Sequence, residues 1–209
     1  MQCCQEEGTP WRPSKTVTSE NRIPLLILLQ QTPIIPAVRK PEHLDLALKA
    51  HGKVIYFLTG NPENCESMIQ TVLAAGKVPI VNLDLLNGFA RDKFAVNYLK
   101  RCGACGIIST HVDVLRHVHS IGLYAIQRTF LIDSGAMDTI TAQLKNTPVD
   151  ALEVLPAQVA YRLLDRMRSI FPDTVITGGG LIDTMKEVEE LLLQGLVAVS
   201  IGNPEMWIV

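Results

Sequence analysis

Residues 175–183 read VITGGGLID. A β-branched run with the composition of a buried strand stops in three consecutive glycines. It gives way to a helical period, in which Met185, Val188, Leu191 and Leu192 of MKEVEELLLQG fall on one face. Glycine reaches backbone angles closed to other residues and has no Cβ, so its amide can come close to a ligand. Gly178, Gly179 and Gly180 therefore admit two readings, a tight strand-to-helix turn or a set of bare amides that seats an anion. Three in a row exceed what a turn needs, because each loses more chain freedom on folding than any other residue would.

The same unit, strand then break then helix, recurs along the chain. Strands are expected at IIPAV (34), VIYFLT (54), VPIVNLD (78), GIIST (106), YAIQRTF (124), ALEVLP (151), TVITG (174) and VAVSIG (197). Pro41-Glu42, Pro62-Glu63 and Pro156 open helices, the last running through AQVAYRLLDRMRSIF, because proline suits a first turn and an acid there suits the dipole. Gly52, Gly76, Gly103, Gly122 and Gly195 mark helix ends. Strands alternating with helices imply parallel pairing and right-handed crossovers. Eight units point to a single (β/α)8 TIM-type barrel of near-minimal length. The alternative is an open doubly wound sheet, but its glycine fingerprint belongs after the first strand, where this chain has Arg39-Lys40-Pro41.

Composition sets the limits. A chain of 209 residues, 47% apolar and 19% charged, has material for one well-buried core, expected over residues 23–209. Residues 1–22 are polar, proline-punctuated and aperiodic, the texture of a poorly ordered tail. Ile23 to Leu29 is too short to cross a bilayer and reads as a short N-terminal helix packed on the domain. Glu6 and Glu7 sit where a signal peptide needs positive charge. Five cysteines are an odd, scattered set that suits a reducing cytoplasm better than a disulfide framework. The net charge of −2 conceals an asymmetry. Residues 85–128 hold six Lys/Arg against two Asp/Glu, and residues 129–209 hold five against eleven. The first stretch reads either as ordinary solvated helix surface or as a weakly basic face.

In a barrel of this type the working groups sit at the carboxyl ends of the strands, and a phosphate commonly rests on the loops after strands seven and eight. Gly178–Gly180 follow the seventh strand, and Ser200-Ile201-Gly202-Asn203 follow or end the eighth. Two glycine-containing turns at these two places favour the anion seat. Arg39 after the first strand and Arg128 late in the fifth either face an anionic ligand or pair with a carboxylate. Asp84 and Glu153 could bind ligand hydroxyls, act as base and acid, or pair with those arginines. Each strand end lacks the lysine a Schiff base would need, which sets aside the commonest aldolase chemistry. Ser109-Thr110-His111 does not make a nucleophilic triad, and Cys102-Gly-Ala-Cys105, without a second pair, does not make a metal site. No metal or cofactor is expected.

Several short blocks, in order, resemble one family, the glycerol-3-phosphate-responsive antiterminators. They are PIIPAVR (33–39), LDLLNG with Asp84 and Gly88, GIIST (106–110), YAIQR (124–128) followed by LIDSGAM, EVLP (153–156), GGLI (179–182), and Asn203 spaced N-x-x-x-W from Trp207. The resemblance runs from about Pro33 to Trp207. It implies a single-domain barrel that is not an enzyme, binds glycerol 3-phosphate as effector, and, so loaded, binds the leader mRNA of glycerol-utilisation genes to prevent termination. The ligand residues would be Arg39, Asp84, Arg128, Glu153, Gly179, Gly180, Ser200, Gly202 and Asn203. RNA contacts would come from Arg91, Lys93, Lys100, Arg101 and Arg116 of the net-positive stretch. The rival class is a phosphosugar isomerase or lyase that uses Asp84 and Glu153.

Overall fold

The computed structural model describes residues 22–208. The expected tail, except for Arg22, lies outside the described residues. Eight strands close into a barrel in chain order: β1 (Ile34–Val38), β2 (Val54–Phe57), β3 (Val78–Asn82), β4 (Gly106–Ser109), β5 (Tyr124–Phe130), β6 (Ala151–Leu155), β7 (Val175–Gly179) and β8 (Ala198–Ile201). Every neighbouring pair is parallel, and β8 returns to β1 through Ile34 opposite Val199 and Pro36 opposite Ile201. Closure excludes the open sheet. The fold is a (β/α)8 barrel.

Strand parity sorts the chain into two cores, because successive side chains point to opposite faces. Ile35, Ala37, Tyr56, Ile80, Ile108, Ile126 and Ala198 fill the interior together with Leu25, Leu28 and Leu29 of α1 (Leu25–Gln30). The intervening residues, Val38, Phe57, Val81, Ile107, Ala125, Leu152 and Val199 among them, form the layer between sheet and helices. The helix expected near Ile23–Leu29 thus closes the amino end of the barrel. Arg22 fastens it there: the guanidinium pairs with Asp150 and lies 4.4 Å from the Tyr124 ring centroid, while the Tyr124 hydroxyl donates to the Ile23 carbonyl.

The outer helices are α2 (Leu44–Lys49), α3 (Cys65–Ala74), α4 (Lys93–Arg101), α5 (Val112–Ser120), α6 (Ser134–Leu144), α7 (Ala157–Ala160), α8 (Leu164–Ile170) and α9 (Met185–Leu193). Gly76, Gly103, Gly122 and Gly195 take positive φ after their helices, as end signals should. Gly52 does not. A Cβ there would stand 2.8 Å from the Ile34 carbonyl oxygen, so this glycine serves a close approach of chain to β1. The helix expected after Pro156 is broken. It tightens to a 3-10 turn at Tyr161–Leu163, where Leu163 leaves helical angles at φ −111 and ψ 5, and resumes as α8. The break re-aims the chain: Ala157 lies against Gly178 of β7, Ala160 is buried, and Leu164 and Met167 are then turned inward.

Candidate functional site

At the carboxyl mouth of the barrel, Glu153 of β6 is fully buried and both its oxygens are engaged. Oε2 accepts from Arg128 Nε at 2.7 Å and Oε1 accepts from Ser200 Oγ at 2.6 Å. The chain of contacts joins β5, β6 and β8 and passes over β7. It can do so because residue 179 is glycine: a Cβ there would meet Ser200 Oγ at 2.5 Å and Glu153 Oε1 at 3.2 Å. Arg128, 8% exposed, spends only its Nε on Glu153; neither terminal guanidinium nitrogen bonds to a described residue. A nearly buried guanidinium held by a carboxylate through Nε keeps two terminal nitrogens available as donors.

The three glycines have three separate causes. At Gly178 a Cβ would stand 2.8 Å from both Ala157 Cβ and Leu196 Cδ1, so the residue lets α7 lie against the strand. Gly179 makes room for Glu153 and Ser200. Gly180 has φ +73 and is followed by Leu181 at φ 54, two left-handed residues in succession. These angles bend the chain sharply away from β7 and take the following amides out of the strand ladder. The turn after β8 lies alongside, because Gly179 is in register with Ser200. Among the described residues, no hydrogen bond engages the amides of Gly180, Leu181, Ile182, Gly202 or Asn203. The amides of Asp183 and Thr184, one step later, are taken by Glu187 Oε2 in a capping box.

Arg39 lies across the second turn. A Cβ on Gly202 would sit 2.9 Å from Arg39 Cδ, and the exposed guanidinium bonds to no described residue. The Asn203 side chain is committed, since its oxygen accepts from the Glu205 amide and caps the 3-10 turn Pro204–Met206. Trp207 pins that turn: its ring is buried and its Nε1 donates to the Ile201 carbonyl at 2.8 Å.

Asp84 stands apart from this network, in the loop after β3. Oδ1 accepts from Ser109 Oγ at 2.7 Å, and Oδ2 accepts from the Thr110 amide at 2.6 Å and the Thr110 hydroxyl at 2.8 Å. Its carbonyl accepts from Arg91, which also bonds the Phe89 carbonyl. Asp84 therefore ties the β3–α4 loop to the end of β4. Of the other cations in the net-positive stretch, Lys100 is bound to the Ile121 carbonyl and Arg116 to Asp113 and Thr147, whereas Lys93 and Arg101 lie beside aromatic rings.

Sequence reading passed over Tyr56, Asn82 and Thr177, which the register places on the inner face with Arg128, Glu153 and Ser200. Burial pushes the Tyr56 phenol well above its ordinary value, with the Glu153 charge adding to the effect and Arg128 opposing it. Strand parity carried this signal: counting by twos from the inward Val54, Ile80 and Val175 reaches all three.

Among the described residues no three His, Cys, Asp or Glu side chains converge as a metal site, and no helix is long and apolar enough to cross a membrane. Cys102 caps the carboxyl end of α4 and Cys105 precedes β4, both at the end of the barrel opposite the mouth. A cleft of about 610 Å³ also lies at that end, beside Leu26, Asp150, Arg168 and Asp173, but Asp150 is held by Arg22 and Arg168 by the Gly195 carbonyl.

The family model described as glycerol-3-phosphate responsive antiterminator matches residues 34–207, the entire barrel. The chain belongs to that family. It is 30% identical over 189 residues to the uncharacterized protein YgcP of Escherichia coli K12, covering 88% of this chain and 96% of that one. Among solved structures it resembles the glycerol uptake operon antiterminator regulatory protein of Listeria monocytogenes, with TM-score 0.78 and 26% identity over 84% of this chain and 95% of that chain. It also resembles a glycerol uptake operon antiterminator-related protein of Thermotoga maritima, with TM-score 0.75 and 26% identity over 84% and 98%. The family is a regulatory one, and its model spans both glycine turns and the Arg128–Glu153–Ser200 chain.

Proposed function

We propose that this protein is a transcription antiterminator whose effector is glycerol 3-phosphate, held at the carboxyl mouth, and whose partner is the leader mRNA of glycerol-utilisation genes in the cytoplasm. The observation that carries the effector site is the pair of adjacent turns with five unbonded amides, flanked by two arginines with free guanidinium nitrogens. Amides at Gly180, Leu181, Gly202 and Asn203 take the phosphate oxygens, Arg128 and Arg39 add charge, and Gly179 and Ser200 hold the floor beneath them. Glu153 keeps Arg128 aimed. The glycerol hydroxyls fall toward the polar wall, where Asp84 marks the far side.

An isomerase or lyase reading would require a carboxylate free to exchange a proton with substrate. Both oxygens of Asp84 and of Glu153 are engaged, which favours binding over turnover.

For regulation the effector must prefer one conformation, and the RNA must prefer the same one. Titration calorimetry with glycerol 3-phosphate, free glycerol and inorganic phosphate tests the effector half. Glycerol 3-phosphate should bind and raise the melting temperature, free glycerol should do neither, and no heat with any phosphate compound would sink the reading. Incubation with triose phosphates tests the rival, since turnover abolished by Asp84→Asn would replace this reading with an enzymatic one.

A further inference from the structure

We infer that the outer face of α4, whose first turn lies at the rim of the same mouth and whose last turn reaches the opposite end of the barrel, is a stacking surface for single-stranded RNA, with Phe94 as its principal platform. The inference rests on the antiterminator reading, which supplies a nucleic-acid partner, and adds where that partner lies and what grips it.

Phe94 begins α4 and is 71% exposed, although the helix already buries Ala95, Val96 and Leu99 on its inner side. Tyr98 follows one turn later on the same side. Its ring lies 5.7 Å from that of Phe89, tilted by 49°. Tyr98 is half-buried against the core and donates to the Pro62 carbonyl, so only its edge is open beside the exposed Phe94. Each ring has a cation beside it, Lys93 Nζ 5.3 Å from the Phe94 centroid and Arg101 Cζ 5.8 Å from the Tyr98 centroid. Residues 88–101 hold Arg91, Lys93, Lys100 and Arg101 against Asp92 alone. One oxygen of that acid already accepts from the Phe94 and Ala95 amides.

Flat rings interleaved with cations match the two features an unpaired strand exposes, base faces and phosphates. A duplex hides its base faces, and a peptide partner would be met better by continuous apolar surface than by rings capped with charge. The patch is also coupled to the mouth. Arg91 donates to the carbonyls of Asp84 and Phe89, so the loop that meets Ser109 and Thr110 carries α4's first turn with it. An effector that shifts this loop moves Phe94.

The test uses the full chain, without and with saturating glycerol 3-phosphate, and fluorescence anisotropy with a labelled random-sequence single-stranded RNA of about 16 nucleotides, a duplex of the same length, and salt from about 50 to 200 mM; the outcomes are read in the loaded arm. A random pool suffices because stacking platforms tolerate any base. Wild type should bind the single strand in preference to the duplex. Phe94→Ala should weaken that binding at least about fivefold, the lower end of one stacked base. The pair Lys93→Ala with Arg101→Ala should flatten the slope of log affinity against log salt by about 1.4, as expected for two lost phosphate contacts. Phe130→Ala, on a different part of the rim, should bind as wild type does, and all variants should keep their affinity for glycerol 3-phosphate. Unchanged RNA binding in Phe94→Ala, equal binding of the duplex, or no binding of the pool by wild type each overturns the inference while the effector calorimetry still stands or falls alone. Loss of self-association in Phe94→Ala without any RNA effect would assign the patch to a second copy of the chain instead.

Discussion

Glu153 Oε2 lies 2.7 Å from Arg128 Nε inside the closed barrel, with Ser200 on the other carboxylate oxygen. A buried pair of this kind contributes little against an apolar substitute but is costly to break, since one charge is then left alone. Glu153→Ala is expected to destabilise the fold by about 3 kcal/mol, read by urea denaturation. Arg128→Lys keeps a charge but loses the planar fork. It should weaken glycerol 3-phosphate at least about tenfold in calorimetry, in line with a lost charge-assisted bond. Equal affinity in Arg128→Lys would remove Arg128 from the seat.

The three glycines should separate by mechanism. Gly178→Ala and Gly179→Ala each force a Cβ into occupied space and should cost about 1–3 kcal/mol of stability. At Gly180 the space is open enough, with the nearest atom 3.4 Å away, but φ is +73, so Gly180→Ala should cost about 1 kcal/mol and also misplace the Leu181 amide. Effector affinity should therefore fall in Gly180→Ala more than its stability loss suggests. Thermal melts and calorimetry on the same samples make the comparison.

Much of this was legible in the residues themselves. Every strand was placed within a few residues because β-branched runs bounded by glycine or proline are what a closed parallel barrel requires on both faces. The proline-opened helix after β6 was misread as continuous because its period persists through Leu163, and only the packing of Ala157 on Gly178 reveals why the chain must turn. The glycine trio was read as one signal, yet two of its members answer to neighbours from distant strands and helices that no local window contains. Asp84 looks equivalent to Glu153 in the sequence because the one ends and the other interrupts an apolar strand. The loop geometry that hands Asp84 to Thr110 has no sequence mark.

Thr184 and Glu187 cap α9 reciprocally, with the Thr184 hydroxyl accepting from the Glu187 amide. Bonds from the Asp183 amide and from Thr184 hold the Glu187 carboxyl below its ordinary value. A carboxylate depressed on folding stabilises the fold above its unfolded-state value, and that contribution is lost as pH falls through the lower folded value. The melting-temperature gap between wild type and Glu187→Ala should be present at neutral pH and shrink in acid. A gap that stays constant into strong acid would assign the effect to packing. Thr184→Ala should cost about 1 kcal/mol at neutral pH.

Cys65 and Cys105 are pushed up to about 11, chiefly by burial, and burial raises Cys102 as well. Thiolate is the reacting form, so alkylation of Cys65 and Cys105 at mild alkaline pH should run on the order of 100-fold slower than that of a free thiol. Peptide mapping after iodoacetamide treatment, native against unfolded, measures it. Rapid native labelling of Cys105 would show that the amino end of the barrel opens.

Trp207→Phe should cost about 1 kcal/mol through the missing bond to the Ile201 carbonyl, whereas Trp207→Ala should cost about 3 kcal/mol or more. If both variants matched wild type in urea, the terminal turn would not depend on that ring.

Among the described residues α1 corks the barrel from below, which leaves the carboxyl mouth as the open end. A small molecule seated there, as proposed, would leave by the route it came. On the proposed reading the message would spread sideways through the loops at the threshold, and a macromolecule that reads it would sit beside the guest.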